Sequence, residues 1–163
     1  AARGILTDCH MQSSLPDIYA AGDCCESIDV SSGESRVLAL LPNAYRQGEC
    51  AGTCMAGGDM RFGDAIPMNA IGFFGLHILT AGTYTGNIYE YRSGGQYKKL
   101  FYEDNRLKGY LLVGNVEKAG IYTALIRRQT PLDTLDFELV CETPGLMAFS
   151  RKFRARELGG IKA

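Results

Sequence analysis

Residues 15–26, LPDIYAAGDCCE, constrain the fold more than any other stretch of the chain. Within them, residues 18–21 form a short apolar run between turn residues, which predicts a fully buried strand that ends at Gly22 and Asp23. A carboxylate directly after a buried strand lies at the sheet edge where open α/β folds bind ligands, and the small residues before it allow close approach. The alternative, that Asp23 only caps the following turn, stays open on these residues alone.

A helix is predicted over residues 42–56. Pro42 is favoured at the first helical position because its missing N–H has no helical partner there, and the Gly57-Gly58 pair can form a left-handed C-terminal cap. The free N–H groups of residues 41–45 form a site for partial negative charge. Small residues at this period let a helix lie close to a sheet or a flat ligand, although ordinary helix packing needs no ligand. The predicted face consists of Ala44, Gly48, Ala51, Gly52 and Met55.

The composition of residues 58–65 is that of a linker, which predicts a boundary near Asp64 and two domains, residues 1–64 and 65–163. The chain begins abruptly, and no helix or partner strand precedes the first predicted strand to complete a sheet. We therefore expect a fragment of a longer polypeptide.

The second predicted domain has the alternation typical of antiparallel strands. Asp104 and Asn105 tolerate positive φ and predict a two-residue hairpin turn. Asn115 is the expected N-cap of a helix over residues 116–128 that covers one face of the sheet, and a short helix is predicted from Pro144. The predicted strands are residues 87–92, 96–103 and 106–113. The overall class is α+β.

The charge and cysteine content narrow the function classes. The 17 basic and 18 acidic residues give a net charge of −1, which does not favour nucleic acid or an anionic membrane surface as a partner. The longest apolar stretch, residues 70–81, is shorter than the roughly 20 residues that span a bilayer. Six cysteines without framework spacing are typical of reduced thiols, so a cytoplasmic location is expected.

The cysteines offer two weaker hypotheses. Cys50 and Cys54 lie on one side of the predicted helix, either as small hydrophobic residues or as a thiol pair or metal half-site. The adjacent pairs Cys9-His10 and Cys24-Cys25 lack the usual spacing of zinc ligands. No metal ligand is assigned.

Residues 7–26, TDCHMQSSLPDIYAAGDCCE, resemble the second flavin-binding motif of the FAD-dependent pyridine-nucleotide-disulfide oxidoreductases. The resemblance implies that Asp23, with Gly22 before it, accepts hydrogen bonds from the hydroxyls of the FAD ribityl chain. Residues 36–58 are similar to the following helix of that family, whose N-terminal backbone approaches the pyrimidine end of the isoalloxazine and can stabilise negative charge there. This role carries over to Leu41, Pro42, Asn43 and Ala44.

Residues 66–82 and 100–132 are similar to the C-terminal domain of the branch that contains NADH:rubredoxin reductases and the flavin portion of NADH-dependent nitrite reductases. The resemblance implies that residues 1–64 are a remnant of an α/β FAD-binding domain. It also implies that residues 65–163 form a small α+β interface domain that often contributes to a homodimer. NAD(P)H is the implied reductant, and rubredoxin, a nitrite-reducing centre or oxygen is the implied acceptor.

The chain departs from this family where nucleotides bind, because neither of the family's GxGxxG motifs occurs in it. Such loops cradle a pyrophosphate with backbone N–H groups, so we expect this chain to be inactive alone, with no catalytic residue of its own and with the missing FAD and NAD domains as partners. An acidic electron carrier could dock on the basic residues Arg151, Lys152, Arg154 and Arg156. The rival hypothesis is a non-enzymatic dimerisation or docking module.

Overall fold

The computed structural model describes residues 3–151 and residue 154, and the chain divides into two compact units, Ala1–Met68 and Asn69–Ala163. These are called the N-terminal unit and the C-terminal unit below. Both combine helix with sheet, which confirms the predicted α+β class.

The N-terminal unit is built around a small sheet. Strand β1 (Ile5–Leu6) pairs in parallel with β2 (Cys25–Ile28), and β2 pairs antiparallel with β3 (Ser35–Arg36). Helix α1 (Leu41–Met55) follows. The strands are short, so much of the core comes from loops and from α1. Its buried residues are Met11, Ala20, Cys25, Leu38, Cys50, Ala51, Phe62 and Ala65.

The strand predicted over residues 18–21 is wrong. Tyr19 makes only an isolated bridge to Gln12, and the backbone N–H of Ala20 donates to the carbonyl oxygen of Met11 at 3.0 Å. The side chain of Ile18 is half exposed, while Ala20 is buried. The apolar run therefore pairs with the loop before it as an irregular hairpin, and the regular strand of this region is β2, which comes after Asp23 instead of before it.

Helix α1 begins and ends within one residue of its predicted bounds. Its C terminus is a Schellman motif, in which Gly57 N–H donates to Cys54 O and Gly58 N–H donates to Thr53 O, both at 2.9 Å. Gly57 has φ +85°, the left-handed conformation that glycine adopts without steric cost.

The predicted buried face of α1 is only partly correct. Ala51 is buried, but Gly48, Gly52 and Met55 are exposed. The buried residues of the helix are Asn43, Gln47, Cys50 and Ala51. A prediction from residue size alone gave the wrong face of the helix. Two positions of the buried face hold the amide side chains of Asn43 and Gln47, which can be buried because they have hydrogen-bond partners in the interior.

The C-terminal unit contains a five-stranded sheet in the order β4-β5-β8-β7-β6. Strands β6, β7 and β8 form the predicted antiparallel meander, and β5 pairs antiparallel with β8 on its other side. The strands are β4 (Met68–Phe73), β5 (Leu76–Gly82), β6 (Asn87–Ser93), β7 (Gln96–Glu103) and β8 (Arg106–Val113).

The turn between β7 and β8 is confirmed, with φ +50° at Asp104 and +58° at Asn105. Where β5 meets β8, the backbones approach closely at Gly82 and Gly109. A Cβ at Gly109 would lie 2.1 Å from the carbonyl oxygen of Thr83, so only glycine fits there.

Helix α2 (Ala119–Arg127) packs on β8, where the hydroxyls of Tyr110 and Thr123 are 2.8 Å apart. The predicted start of this helix is wrong. Asn115 Oδ1 accepts from the N–H of Glu117 at 3.0 Å in a turn, and Lys118 has φ +60°, so the helical conformation begins only at Ala119.

The last described helix is α3 (Phe137–Glu142), which Asp136 caps by accepting from Leu139 N–H at 3.0 Å. The helix predicted from Pro144 is therefore wrong. Pro144 itself is not helical, a 3₁₀ turn, Leu146–Ala148, follows it, and helical conformation returns only at Arg151 and Arg154, where Arg154 N–H donates to Ser150 O at 2.9 Å. The core of the C-terminal unit is made mainly of Leu100, Leu107, Tyr110, Leu112, Tyr122, Leu125, Ile126 and Val140.

Two further findings concern the expected partners. Across residues 3–151 and 154, none of the helices has both the length and the apolar character needed to cross a membrane. Of the basic run, Lys152 and Arg156 lie outside the described residues, whereas the Nη1 of Arg154 is 3.1 Å from the sulfur of Met147.

Candidate functional site

The predicted Gly-Asp motif forms a 3₁₀ turn, Gly22–Cys24, that lies against α1. Gly22 has φ +84°, and a Cβ placed on it would be 3.7 Å from the Cβ of Ala44. The backbone N–H of Gly22 donates to Oε1 of Gln47 at 2.7 Å. The structure thus brings Gly22 and Ala44 together, two of the residues that the sequence assigns to cofactor binding.

The side chain of Asp23 is exposed, and nothing in the described part of the chain makes a hydrogen bond to its carboxylate. Gly22 is tied to α1 through its N–H, and Cys25 N–H closes the turn by donating to Gly22 O. The backbone on both sides of Asp23 is therefore fixed while its carboxylate stays open to a ligand. A carboxylate in this state is an acceptor for hydroxyl or N–H donors.

The N terminus of α1 lies in the same region of the N-terminal unit. Leu40, the N-cap residue, is extended, and no side chain of residues 3–151 or 154 caps the helix. Leu41 and Pro42 are exposed at this end. Ala44 N–H donates to Leu40 O at 2.9 Å, so the earlier helical N–H groups carry the partial positive charge of the helix end.

Asn43 plays a different part from the other predicted residues of the helix end. Its side chain is 1% exposed, and its Nδ2 donates to the carbonyl oxygen of Ile66 at 3.2 Å. The amide group holds the start of α1 to the segment after the helix. Only its backbone remains a candidate for contact with a ligand.

Gln47 is a site residue that the sequence reasoning missed. Its side chain is 1% exposed, and its amide connects the Gly22 N–H to the Ser27 hydroxyl, which accepts from Nε2 at 3.0 Å. The thiol of Cys25 also points to Oε1, at 3.6 Å. One signal was available: Asn43 and Gln47 are four residues apart, which places two amides on the same helix face as Cys50.

Two buried carboxylates support the backbone around the site. Burial of Asp29 is complete, and its side chain accepts from the N–H and hydroxyl of Ser31 and pairs with Arg36. Glu26 accepts from the N–H groups of Arg3 and Gly4, and these bonds hold the pKa of Glu26 below its ordinary value. The two acids stabilise the strands and the loop next to the Gly-Asp turn.

The paired cysteines of α1 are structural thiols in this chain. Cys50 and Cys54 both donate to the carbonyl oxygen of Met60 at 3.3 Å. Burial, with the neighbouring Cys54, raises the pKa of Cys50 to about 11, which keeps this thiol protonated at neutral pH. Within the described residues there is no group of three or more metal-ligating side chains.

The arrangement suits a ligand that carries hydroxyls and an anionic or electron-rich edge. Asp23 offers an open acceptor, and the uncapped start of α1 offers positive partial charge a short distance along the same unit. Small residues at Ala21, Gly22 and Ala44 leave room for close approach. These features fit the ribityl chain and the ring edge of a flavin.

Comparison with known proteins shows which class of protein the chain is similar to. The chain is 32% identical over 143 residues to the NADH-dependent phenylglyoxylate dehydrogenase subunit epsilon of Aromatoleum evansii, covering 82% of this chain and 34% of that protein. It is 29% identical over 151 residues to human pyridine nucleotide-disulfide oxidoreductase domain-containing protein 1, covering 84% of this chain and 30% of that one. No family model matches.

A solved structure shows the same fold. The FAD-dependent pyridine nucleotide-disulphide oxidoreductase from Desulfovibrio vulgaris has a TM-score of 0.72 at 22% identity, over 86% of this chain and 39% of that one. The chain is homologous to the C-terminal region of the pyridine nucleotide-disulfide oxidoreductases. Its relatives in that class include the NADH-rubredoxin oxidoreductase of Clostridium acetobutylicum, at 29% identity over 70% of this chain and 30% of that protein. The chain spans about a third of the length of these curated relatives.

Proposed function

We propose that the chain is the C-terminal part of an FAD-dependent NAD(P)H oxidoreductase. Residues 1–64 would complete the FAD-binding domain, and residues 65–163 would form the interface domain. The proposal is supported by relatives that are NADH-dependent by name and by solved neighbours that include an FAD-dependent enzyme.

In this proposal Asp23 holds the ribityl hydroxyls, and Gly22 lets the cofactor approach the turn. The backbone of Leu41, Pro42, Asn43 and Ala44 faces the pyrimidine end of the ring, where the helix end favours negative charge. Bound FAD would supply the hydride chemistry between the nicotinamide and the acceptor, and the protein would supply position and charge.

The observation that carries the proposal is the hydrogen bond from Gly22 N–H to Gln47 Oε1. It ties the Gly-Asp turn to the helix whose N terminus is uncapped, so that an open carboxylate and an open helix end belong to one rigid segment. A turn that served only as a cap would direct the Asp23 carboxylate to a backbone N–H. In the part of the chain that the structure describes, Asp23 accepts no such bond.

The acceptor and partners follow from the same proposal. The rubredoxin oxidoreductase among the relatives, and the putidaredoxin reductase–putidaredoxin complex among the solved structures, favour a small electron carrier as acceptor. The remaining FAD and NAD domains of the same polypeptide would supply the GxGxxG loops, so residues 1–163 alone would be inactive. Free cysteines favour a reducing, cytoplasmic setting.

The test is FAD retention by the intact protein with Asp23→Asn. The substitution keeps the size of the side chain but removes the charge that strengthens hydrogen bonds from hydroxyls. We expect the bound FAD per chain after gel filtration to fall severalfold. Asp17→Asn, an exposed acid of the same unit, is the matched control and should retain FAD like the wild type.

A second candidate, the docking module without enzymatic activity, is favoured by the hairpin of β4 and β5. Its tip exposes 63% of Phe73 and 97% of Phe74, whose rings are 4.6 Å apart. Exposed aromatic pairs of this kind are typical of interaction surfaces. An intact protein that never binds FAD would favour this second function over the first.

A further inference from the structure

The loop of residues 8–11 holds a cysteine and a histidine side by side in a fixed turn. Met11 N–H donates to the carbonyl oxygen of Asp8 at 3.1 Å, which places Cys9 and His10 at the two central positions. The Asp8 carboxylate reinforces the turn, because its Oδ1 accepts from the N–H groups of His10 at 2.8 Å and Gln12 at 3.0 Å.

The turn is also anchored to the core of the N-terminal unit. The side chain of Met11 is 1% exposed, and its φ of +63° turns it inward immediately after His10. The carbonyl oxygen of Cys9 accepts from Phe62 N–H at 2.8 Å. Both sides of the Cys9-His10 pair are therefore held by buried neighbours, while the Cys9 thiol itself is exposed.

The side chains form a chain of three polar groups. The sulfur of Cys9 lies 3.6 Å from Nδ1 of His10, and Nε2 of His10 lies 3.0 Å from Oδ1 of Asp59. Oδ2 of Asp8 is 3.7 Å from the same Nδ1. A thiol next to a base that a carboxylate orients is the general arrangement of an activated nucleophile.

We propose that Cys9 is a thiolation site, at which His10 acts as the base that activates Cys9 toward low-molecular-weight disulfides and Asp59 positions His10. With Nε2–H donated to Asp59, Nδ1 is the free acceptor that faces the thiol. The carboxylates of Asp8 and Asp59 then stabilise the imidazolium that forms when the proton moves.

The reaction is a thiol–disulfide exchange, and it balances without a further oxidant. Nδ1 of His10 takes the proton of the Cys9 thiol, and the thiolate attacks one sulfur of the small disulfide. A new S–S bond forms at Cys9 as the S–S bond of the reagent breaks. The released thiolate takes the proton from His10, so that the disulfide is reduced to one thiol and Cys9 is oxidised to the mixed disulfide.

The remaining cysteines lack this arrangement. Cys24 is the other exposed thiol, but it donates to the carbonyl oxygen of Ala21 at 3.3 Å instead of lying against a histidine. Burial raises the pKa of three cysteines to about 11, and buried thiols of this kind are inert. These are Cys25, Cys50 and Cys141.

The experiment treats the reduced intact protein with oxidised glutathione and follows each cysteine by peptide mass spectrometry. Cys24 serves as an internal reference in the same molecule. Because Nδ1 of His10 lies beside the Cys9 thiol and can take its proton, we expect Cys9 to react severalfold faster than Cys24.

Three variants decide the roles. His10→Gln should bring the Cys9 rate down to that of Cys24, whereas His77→Gln, at the other histidine of the chain, should leave the ratio unchanged. For Asp59→Asn the readout is the pH profile of the Cys9 rate. We expect its midpoint to move upward while the profile of Cys24 stays in place, because the imidazolium loses one of its two carboxylates.

The titratable groups that face this pair are Asp8 from the same turn, Asp59 after α1, and Cys50 from α1. Burial alone would raise the pKa of Asp8, but hydrogen bonds from Gln12 and His10 N–H hold it below its ordinary value. Asp8 thus remains a carboxylate across neutral pH in every variant. Equal rates at Cys9 and Cys24, or a ratio that His10→Gln leaves unchanged, would overturn the proposal.

Discussion

The C-terminal unit satisfies its backbone mainly with long paired strands, whereas the N-terminal unit relies on buried polar side chains. In the C-terminal unit, β7 and β8 pair along almost their whole length, and the core beneath them is aliphatic and aromatic. In the N-terminal unit, strands β1 and β3 have two residues each. The polar residues buried there are Glu26, Asp29, Ser31, Asn43 and Gln47.

The difference matters for function because the polar interior determines where the backbone of the candidate site lies. Gln47 fixes Gly22, and Asn43 fixes the start of α1 through Ile66. An apolar side chain could fill the same space but could not accept the Gly22 N–H. The buried amides therefore fix the positions of Asp23 and the helix end, and for the same reason they are less tolerant of substitution than an apolar core would be.

The largest effect is expected from Gln47→Met, which keeps an unbranched side chain but removes both amide groups. Gly22 N–H and the Ser27 hydroxyl, both half-buried, would lose the partner that Gln47 supplies from the interior. We expect the free energy of local unfolding of the N-terminal unit to fall by about 1–2 kcal/mol, because two polar groups lose one shared hydrogen-bond partner. Amide hydrogen exchange, resolved by peptide, measures each unit separately.

The matched control is Gln129→Met in the C-terminal unit. Gln129 is only half-buried, and its amide makes one bond, to the carbonyl oxygen of Ile126 at 2.7 Å. The expected cost is below about 1 kcal/mol. Equal losses in the two variants would show that the two units do not differ in the way described.

A smaller effect is expected from acid pH on the N-terminal unit. The pKa of Glu26 is lowered in the folded chain by the N–H groups of Arg3 and Gly4, so the unfolded chain binds the proton more readily. The stabilisation is present above the ordinary pKa of 4.5 and is lost as the pH falls through the lower, folded value.

Glu26→Gln removes this titration and keeps an oxygen that can accept from both N–H groups. We therefore expect the free energy of local unfolding to depend less on pH in the acid range than it does in the wild type. Asp8 should supply the pH dependence that remains. Hydrogen exchange across the range below neutral pH checks this, with peptides of the C-terminal unit as the reference. An unaltered slope in the variant would contradict the assignment to Glu26.

The two units also differ in how far their structure could be predicted. Strands β7 and β8 and the Asp104-Asn105 turn were predictable because alternation and turn residues are local signals. Residues 18–21 were not, because a short apolar run without a period does not reveal its partner. That partner is the loop around Met11. Backbone hydrogen bonds join the two segments, and a local sequence pattern does not predict them.

The candidate site, too, could be predicted only where its features are local in the sequence. Gly22, Asp23 and the helix end could be named from the sequence, since a Gly-Asp turn and a helix that starts at Pro42 are local features. The role of Gln47 could not, because its partner is the backbone of a residue far back along the chain. Asn43 was named for its backbone, but its side chain has a structural role.

A crystal structure of the intact protein with FAD bound would test directly whether Asp23 holds the cofactor. We expect the Asp23 carboxylate to lie within hydrogen-bond distance, about 2.5–3.0 Å, of a ribityl hydroxyl, with the start of α1 next to the pyrimidine edge of the ring. We also expect Gly22 N–H still to donate to Gln47. An FAD molecule bound away from Asp23, or an Asp23 carboxylate turned to solvent beside bound FAD, would contradict this role of Asp23.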